Sequence, residues 1–495
     1  MAVPKVCGTE TEYGVVLRGA TDPNPVLASS LLINAYVEHR RIGWDFDDET
    51  PGRDARGFSR EGSAAPDVET HLVNTVLTNG ARYYVDHAHP EFSSPECLDA
   101  REATLWDKAG ERILRASMRA SARLVGEGEE IVVYKNNSDG KGNSYGAHEN
   151  YLVDRNLPFA TLVHHMIPWF VTRQVFTGAG KIGSENGTDD VDFQISQRAD
   201  FFEEEVGLET TLKRPIVNTR DEPHADPQQF RRLHVIVGDA NLCEVSTFLK
   251  IGTTAIVLAM IEDDFIDKDL AIVDPVPAMH AVSHDPTCTT TVEMAEGGTA
   301  TALDVQWEFL RLARKYADET GLAVCGSEEH GDEVLTRWEN ALEGLERDPA
   351  SLDGTLDWVT KQNLLQAYMN RDGLEWSDAK LALLDLQYHD VRADRSLYEK
   401  LVRAGKIVRI LDESDVTHAV TEPPPTTRAY FRGRCLERFP DAVVAANWDS
   451  LILDVGSDPL RRIPMMEPLR GSEDHVGAIL DACTTPAELV DRLAS

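Results

Sequence analysis

The sequence predicts an α+β protein built around an antiparallel sheet. Two observations lead to this prediction: short runs of β-type residues recur along the chain, and longer stretches with apolar residues at helical spacing lie between them. The two patterns mix without the regular alternation that parallel βαβ units require, which favours an antiparallel sheet. The length of 495 residues further suggests two to four domains.

The predicted elements are spread over most of the chain. Strands are predicted at Val6–Val16, Ala81–Val85, Ile131–Tyr134 and Leu233–Val237. Helices are predicted at Ala103–Leu124, Val245–Ile261, Ala302–Glu319 and Trp376–Tyr388. The triplet Pro423-Pro424-Pro425 can continue neither a helix nor a strand ladder, so a domain boundary is predicted there. It separates a large body, residues 1–422, from a small C-terminal domain, residues 426–495.

The segment of residues 45–70 has a composition unlike that of its surroundings. It is rich in Gly, Pro, Ser and mixed charge and has few large apolar residues, which predicts a long mobile loop. Long loops inside compact domains are often lids or binding loops. A tolerated surface insertion is the alternative interpretation.

Composition argues against several classes of function. The 49 Lys and Arg residues stand against 84 Asp and Glu residues, and the resulting formal charge of −35 repels nucleic acid and anionic lipid. The longest apolar run, around Ile251–Met260, is too short to cross a bilayer, and the N-terminus lacks the pattern of a secretory signal. The seven cysteines are scattered and never spaced as C-x-x-C, which argues against a disulfide framework. We therefore expect a cytoplasmic protein that binds neither nucleic acid nor membranes.

Four strand-like segments each carry polar residues on one face. Successive side chains on a strand point to opposite faces, so residues two apart share a face. This rule groups Glu10 with Glu12, Arg82 with Tyr84 and Asp86, His148 with Asn150, and Arg232 with His234. Hard cations such as Mg²⁺ take oxygen ligands, and Arg offers a planar fork to phosphate oxygens. The pattern favours a site for metal ions and a nucleotide over a merely solvated face.

The residues after Asp86 add a turn to this site. Pro90 and Pro95 predict a turn that would bring Glu91 back towards the ions, whereas His87 and His89 lack further zinc ligands at suitable spacing. The glycine-bearing run of residues 136–146 fits neither a P-loop nor a Rossmann fingerprint, and no G-x-S-x-G elbow is present. A bound nucleotide would therefore lie on the face of the sheet.

Several motifs together resemble the actinobacterial pupylation enzymes, the Pup ligase/deamidase family. They are Gly8-Thr9-Glu10-Thr11-Glu12-Tyr13-Gly14, Arg82-Tyr83-Tyr84-Val85-Asp86 with His89-Pro90-Glu91, Tyr145-Gly146-Ala147-His148-Glu149-Asn150-Tyr151, and Arg232–Asn241. The resemblance covers nearly the whole chain and includes Thr427–Arg434 and Ala446–Ser450. It implies a glutamine-synthetase-like domain, a curved antiparallel sheet flanked by helices, followed by a small C-terminal domain.

The resemblance also implies a role for individual residues. Asp86 matches the family's catalytic aspartate. The implied Mg²⁺ ligands are Glu10, Tyr84, Glu91, His148 and His234. The implied contacts to ATP or ADP are Gly8, Thr9, Glu12, Arg82, Ser94, Asn150, Arg232 and Trp448, the last contributed by the C-terminal domain.

Within the family, the sequence resembles the deamidase/depupylase branch. Gly-Thr-Glu-Thr-Glu-Tyr-Gly stands where ligases usually have Gly-Ile-Glu-Thr-Glu-Phe-Gly, the turn at Asp86–Pro90 is one residue shorter, and residues 45–70 match an insertion that ligases lack. This branch implies hydrolysis of the C-terminal glutamine amide of Pup and of the isopeptide bond between Pup and a lysine. Pup and pupylated proteins would be the partners, ATP and Mg²⁺ bound cofactors, and Asp86 the nucleophile or general base.

Three other functions stay open on the sequence alone. The chain could be a Pup–protein ligase that forms a glutamyl phosphate, a small-molecule ligase of the glutamate–cysteine type, or a non-catalytic nucleotide-binding adaptor. Pup is acidic, so its docking on this acidic chain requires local positive charge. The C-terminal arginines provide one candidate surface, namely Arg428, Arg432, Arg434 and Arg438; contacts to the nucleotide phosphates and simple solvation are the alternative interpretations.

Overall fold

The computed structural model describes residues 1–37, 42–47, 49–59 and 72–494. In chain order the strands are β1 (Cys7–Glu12), β2 (Gly14–Arg18), β3 (Ile42–Trp44), β4 (Asn74–Val76), β5 (Arg82–Asp86), β6 (His89–Ser93), β7 (Glu130–Tyr134), β8 (Ala147–Asp154), β9 (Lys181–Ile182), β10 (Phe193–Gln194), β11 (Phe202–Gly207), β12 (Arg214–Asn218), β13 (Phe230–Val235), β14 (Thr291–Glu293), β15 (Thr299–Thr301), β16 (Val443–Ala446), β17 (Ser450–Leu453) and β18 (Arg461–Pro464).

Helices in the described residues account for most of the rest. They are α1 (Pro25–Val37), α2 (Ala100–Ser121), α3 (Phe159–Thr177), α4 (Glu244–Glu262), α5 (Pro275–Ser283), α6 (Ala302–Thr320), α7 (Glu328–Arg347), α8 (Asp357–Asp372), α9 (Ala379–Tyr388), α10 (Leu397–Arg403), α11 (Glu413–Ala419), α12 (Ala429–Arg438), α13 (Glu473–Ala482) and α14 (Pro486–Leu493). Short 3₁₀ helices lie at Ala199–Phe201, Ala323–Cys325 and Pro349–Leu352.

A ten-stranded sheet organises the molecule, with the strand order β13-β8-β1-β6-β5-β4-β3-β16-β17-β18. Every neighbouring pair in it is antiparallel except β3 and β16, which run parallel. This topology confirms the predicted α+β class with an antiparallel sheet. Strand β2 leaves the main sheet after β1 and pairs with β7, so the predicted strand Val6–Val16 is two strands.

The helices that the sequence predicted are present within a few residues of their expected ends, as α2, α4, α6 and α9. Local chemistry explains where they begin. Asp99 caps α2 by accepting hydrogen bonds from the backbone N–H groups of Arg101 and Glu102, and Thr301 and Asp304 form a capping box at the start of α6. Helix α3 was not predicted from the sequence. It contains Pro168 in its middle, a residue type that normally interrupts a helix.

Helix α4 is the central helix of the core. It is longer than the apolar run around Ile251–Met260 and is long and apolar enough to cross a membrane. That apolar stretch is buried entirely inside the protein, where α4 packs against α2, α3, α6 and α7. It therefore has the burial of a core helix.

The chain after the proline triplet extends the same sheet. Strand β16 pairs with β3, placing Ala446 opposite Trp44, and β17 and β18 follow. Phe431 and Leu451 pack in one hydrophobic cluster with Trp44. The division at residues 423–425 stays a prediction, but the strand pairing gives the C-terminal segment a fixed position against the body.

One buried carboxylate joins the C-terminal segment to the body. Arg428 Nε lies 2.7 Å from Glu96 Oε1, and Arg432 forms a second ion pair with Glu96. Both arginines are almost fully buried. Burial raises the pKa of Glu96, but the two guanidiniums outweigh burial and lower that pKa to about 2. Glu96 is therefore ionised at neutral pH.

These contacts correct the predicted Pup-docking surface. Arg428 and Arg432 are buried against Glu96 and are not exposed for a partner, so the prediction is wrong for these two residues. Arg434 pairs with Glu422 and Glu437. The arginines stand close together in the sequence, whereas their acidic partners lie far away in the chain or on another helical turn. The sequence alone therefore suggests a basic patch.

The loop predicted at residues 45–70 is described only in part, since residue 48 and residues 60–70 lie outside the described residues. The described part is fastened to the segment that follows β12. Thr219 Oγ1 donates to Asp54 Oδ2 at 2.6 Å, and the backbone N–H of Asp221 donates to the carbonyl of Arg53 at 2.8 Å. These contacts hold residues 53–54 against residues 219–221.

We expect Glu96→Gln to lower the free energy of unfolding by about 3 kcal/mol at pH 7, because it leaves two buried guanidiniums without a counter-charge. The folded-state pKa of Glu96 is depressed, so its stabilisation is present above the unfolded value of 4.5 and is lost as the pH falls towards 2. Urea denaturation of both proteins at pH 7 and pH 3 measures this difference.

The matched control is Glu437→Gln, which removes an exposed partner of Arg434. Exposed pairs contribute little, so this control should unfold like the wild type. An equal effect of the two substitutions, or a Glu96→Gln effect that does not shrink at pH 3, would contradict the assignment.

Candidate functional site

The strand hairpin β5–β6 brings Asp86 and Glu91 to the same end of the sheet. Asp86 pairs with His89 across a two-residue turn, His87-Ala88, and Tyr84 pairs with Glu91. His87 has φ of +50°, which the tight turn requires. The prediction that prolines form this turn is wrong, because Pro90 lies inside β6, opposite Val85.

Strand β1 lies between β6 and β8 and determines which side chains meet. Its register places Glu12 opposite Glu91 and Glu10 opposite His148. The burial of β1 alternates, with Cys7, Thr9 and Thr11 buried and the residues between them partly exposed. The acidic side chains therefore share the face opposite the one that Cys7, Thr9 and Thr11 bury, as the sequence pattern predicted.

The first group of possible metal ligands comprises Glu10, His148 and His234, whose ligand atoms all lie within 4.8 Å of one another. Burial raises the pKa of Glu10, but His148, His234 and Arg232 outweigh it and lower that pKa well below its usual value. Burial and Arg232 lower the pKa of His234, so its imidazole is neutral at pH 7. An ionised carboxylate and a neutral imidazole are the forms that bind metal ions.

The second group comprises Glu12, Asp86 and Glu91, again with ligand atoms within 4.8 Å of one another. Glu91 is only 2% exposed, and burial together with the charges of Asp86 and Glu12 raises its pKa well above the usual value. Three carboxylates this close repel one another, and a divalent cation between them would remove that repulsion. The donor set therefore fits Mg²⁺. Glu12, implied as a nucleotide contact, belongs geometrically to this group.

Tyr84 and His89 border the second group. Tyr84 faces Glu91 across the hairpin, and burial keeps the pKa of its phenol well above the usual value. His89 Nδ1 lies 3.3 Å from Glu12 Oε2. Tyr84 is therefore a neutral oxygen donor at the edge of the carboxylates, where a metal ligand was implied.

Asp86 is the most exposed carboxylate of its group, with 29% of its side chain accessible. Its Oδ1 lies 3.2 Å from His87 Nδ1. Burial raises the pKa of Asp86, but the hydrogen bond and charge of His87 outweigh burial and lower it below its usual value. Asp86 is therefore ionised at neutral pH and is accessible to a substrate.

A cleft next to the first group contains most of the implied nucleotide contacts. Its empty space, including open solvent, is about 550 Å³. The implied contacts that line it are Gly8, Thr9, Ser94, Asn150, Arg232 and Trp448. A Cβ on Gly8 would lie only 3.3 Å from Ser94 Oγ, so glycine keeps this wall open. Thr9 contributes its backbone N–H, which donates to Ser94 Oγ at 2.9 Å.

Arg82 is placed beside this cleft rather than in its lining. Its guanidinium carbon lies 4.0 Å from the ring centroids of both Trp44 and Tyr84, and its Nε donates to Asn74 Oδ1 at 3.0 Å. Trp44 in turn packs edge-on against Trp448 at 5.2 Å. Arg82 thus connects the face that carries the two groups of possible ligands with the C-terminal wall of the cleft.

Two arginines near the second group were not identified from the sequence, the buried Arg198 and the half-buried Arg214. Arg198 Nε donates to Ser144 Oγ at 3.2 Å, and Arg214 donates to the Ser144 carbonyl at 3.0 Å. Neither forms an ion pair with a carboxylate among the described residues. Burial and the charge of Arg214 lower the pKa of Arg198 to about 10. Arg198 immediately precedes a 3₁₀ helix and Arg214 begins a short strand, and no side-chain period marks a face there.

Known proteins resemble this chain over nearly its whole length. The family model described as Pup-ligase protein matches residues 5–452. The chain is 53% identical to a depupylase of Acidothermus cellulolyticus, over 99% of both chains. It is 48% identical to a Pup deamidase/depupylase of Mycolicibacterium smegmatis, over 99% of this chain and 100% of that relative.

Two solved structures are similar over most of their length. One is the complex between prokaryotic ubiquitin-like protein Pup and its ligase PafA, with a TM-score of 0.82, 30% identity, and coverage of 99% of this chain and 94% of that one. The other is PafA in complex with ADP, with a TM-score of 0.73, 35% identity, and coverage of 82% and 89%. The curled sheet flanked by helices is glutamine-synthetase-like, as the resemblance implied. The match of one family model and of full-length relatives shows that this chain belongs to the Pup-ligase family.

Proposed function

We propose that this chain is a Pup deamidase and depupylase. It hydrolyses the C-terminal glutamine amide of Pup and the isopeptide bond that joins Pup to a lysine. The observation that carries the proposal is the accessible, ionised Asp86, grouped with Glu12 and Glu91 beside the cleft. The full-length similarity to proteins named for both activities supports it.

We also propose that the cleft holds ATP or ADP. The similarity to PafA in complex with ADP supports nucleotide binding. Gly8, Ser94, Asn150 and Arg232 would contact the nucleotide, and Trp448 would close the cleft from the C-terminal side. Arg232 donates to Asn150 Oδ1 at 2.7 Å, which orients both side chains before a nucleotide arrives.

Mg²⁺ would be held by the two groups of side chains. The first offers Glu10, His148 and His234, and the second offers Glu12 and Glu91 with Tyr84 at its border. When bound, the ions would neutralise phosphate oxygens and stabilise negative charge that develops on the amide oxygen. The neighbouring carboxylates raise the pKa of Glu91, and a bound cation would offset their negative charge.

Asp86 would carry out the chemical step in one of two ways. It attacks the amide carbon, the C–N bond breaks with a proton delivered to the departing nitrogen, and water then hydrolyses the resulting anhydride. Alternatively, it takes a proton from a water molecule that attacks the same carbon. Either route leaves a glutamate and releases ammonia in deamidation or the lysine amine in depupylation. Arg198 and Arg214 are candidates to stabilise the charge on the amide oxygen.

We place this reaction in the cytoplasm. All seven cysteines are free and buried, including Cys7 of β1 and Cys97, which lie opposite each other in an isolated antiparallel bridge. Thiols that persist unpaired are typical of a reducing compartment. Pup and pupylated proteins are the proposed partners.

The second candidate function is Pup ligation, which the similarity to PafA favours. A ligase would form a glutamyl phosphate at the same face and consume one ATP with every conjugate. The two functions differ in whether turnover is coupled to ATP consumption.

We expect wild-type protein to convert glutamine-ended Pup to the glutamate form in the presence of ATP and Mg²⁺, and Asp86→Asn to lose at least about 10³-fold in rate, because an amide cannot act as nucleophile or base. Intact-mass spectrometry measures the conversion as a gain of about 1 Da per molecule. The matched control is Asp332→Asn on the exposed side of α7, which should keep full activity.

The same assay separates the candidates. Absence of conversion, with conjugates forming when glutamate-ended Pup and a lysine-bearing protein are supplied, would replace the proposal with ligation. Equal activity of the wild type and Asp86→Asn would remove Asp86 from the mechanism. A protein that binds nucleotide without either reaction would be the adaptor.

We expect nucleotide to be required but not consumed in proportion to product, because amide hydrolysis is favourable in water without coupling. Ammonia and phosphate release are measured in parallel during deamidation with ATP, and deamidation is repeated with ADP. The expected phosphate-to-ammonia ratio is far below one. A ratio near one throughout turnover would contradict a cofactor role.

We expect Glu91→Gln to weaken metal binding at the second group by at least about tenfold, the effect typical even of residues that only orient metal ligands. Electron paramagnetic resonance with Mn²⁺ and nucleotide counts bound ions, so the wild type should show two and the variant one at the same concentration. The control is Glu339→Gln. Glu339 lies on α7 and forms an ion pair with Arg314 of α6. Unchanged stoichiometry in Glu91→Gln would show that the carboxylates do not hold an ion.

A further inference from the structure

His224 lines the nucleotide cleft with its backbone in an unusual conformation. It lies in the loop between β12 and β13 and has φ of +48°, in the left-handed region that favours glycine. A left-handed backbone at a non-glycine residue costs free energy and persists where the surroundings impose it, often at ligand-binding positions. The proposed function gives this side chain no role.

The imidazole of His224 has no hydrogen-bond partner among the described residues. Its nearest ionic neighbour is Glu222, whose Oε2 lies 3.8 Å from Nε2, beyond hydrogen-bond distance. About 19% of the side chain is exposed, on the cleft. Burial and the charge of Arg232 lower the pKa of His224 to about 3, so the ring is neutral and offers one donor and one acceptor.

The cleft is lined by both charged and apolar side chains. Among the charged residues, Glu10 belongs to the first group of possible metal ligands, and Arg232 lies 3.6 Å from it. Apolar side chains accompany His224 in the lining, namely Val6, Leu152, Pro223, Trp448 and Pro468, and Val6 and Leu152 pack in one cluster with Ala225, the residue after His224. Phosphates suit the charged side chains, and the aromatic base of a nucleotide suits apolar and aromatic walls.

The backbone of the loop that carries His224 is fixed on both sides of this residue. Before it, Arg155 forms an ion pair with Asp221 at 2.6 Å, and Arg232 Nε donates to the carbonyl of Glu222 at 2.7 Å. After it, the backbone N–H of Asp226 donates to the carbonyl of Met466 at 2.9 Å. The backbone of His224 is therefore held in place before a ligand binds, which lowers the entropy that binding costs.

We propose that His224 hydrogen-bonds the purine base of the nucleotide and is the residue through which the cleft recognises the base rather than the phosphate chain. The inference rests on the proposed function, in which the cleft binds ATP or ADP. The geometry favours contact between His224 and the base. A neutral imidazole between apolar walls matches the edge of a purine, whereas the cation Arg232 is available for phosphate oxygens.

The test measures binding of ATP and of ribose 5-triphosphate, which lacks a base, by calorimetry in the presence of Mg²⁺. His224→Gly removes the ring and accepts the left-handed backbone without strain. We expect its Kd for ATP to rise about tenfold and its Kd for ribose 5-triphosphate to change less than twofold. The control Asp264→Gly relieves a left-handed residue (φ +52°) outside the cleft and should leave both constants unchanged.

His224→Asn is the second variant, since Asn tolerates the left-handed region and retains a donor and an acceptor. We expect it to bind ATP within about threefold of the wild type, which separates the loss of hydrogen bonds from the loss of the ring. If the glycine variant fails to fold, His224→Ala takes its place, with the same expected loss of ATP affinity and the same unchanged affinity for ribose 5-triphosphate. Unchanged ATP affinity in His224→Gly, or an equal loss for both ligands, overturns the assignment. A wild type that binds neither ATP nor ADP overturns the proposed function instead.

Discussion

The register of β1 between β6 and β8 is the constraint on which the site depends. This strand supplies Glu10 to one group of ligands and Glu12 to the other, and its neighbours deliver His148 and Glu91 opposite them. Because side chains alternate with a period of two, a slip of one residue would turn both acids into the packed side of the sheet. The packing of the buried face of β1 therefore determines which of its side chains lie on the polar face.

The interior beneath the site contains charges of its own. Glu149, on the opposite face of β8 from His148, pairs with Arg173 of α3 at 2.6 Å. Lys135, which follows β7, bonds Asp107 of α2 at 2.6 Å. Both pairs are almost fully buried, so each would be costly to break on one side only. Strand β8, which carries His148, is thus fixed to a core helix from its buried face.

The absence of a regular βαβ alternation was sufficient to predict the antiparallel sheet, and the period of two along a strand was sufficient to group Glu10 with Glu12, because both patterns are local in the sequence. The turn after Asp86 was mispredicted, since a histidine in the left-handed region leaves no Asn-Gly or Gly signal in the sequence. Arg198 and His224 were missed because loops and single turns have no period. Arg432 was taken for a surface residue, since its partner Glu96 is 336 positions away and only the folded chain shows the pair.

The pairing of β16 with β3 joins residues about 400 positions apart, which has a consequence for synthesis on the ribosome. The wall bearing Trp448 exists only after almost the whole chain has left the exit tunnel, so a nascent body has the acidic face but an unfinished cleft. Until then β3 is an open sheet edge, and its length of three residues gives other nascent chains little to pair with. Under the proposed function, late completion confines nucleotide retention to finished molecules, a form of quality control that arises from chain connectivity alone.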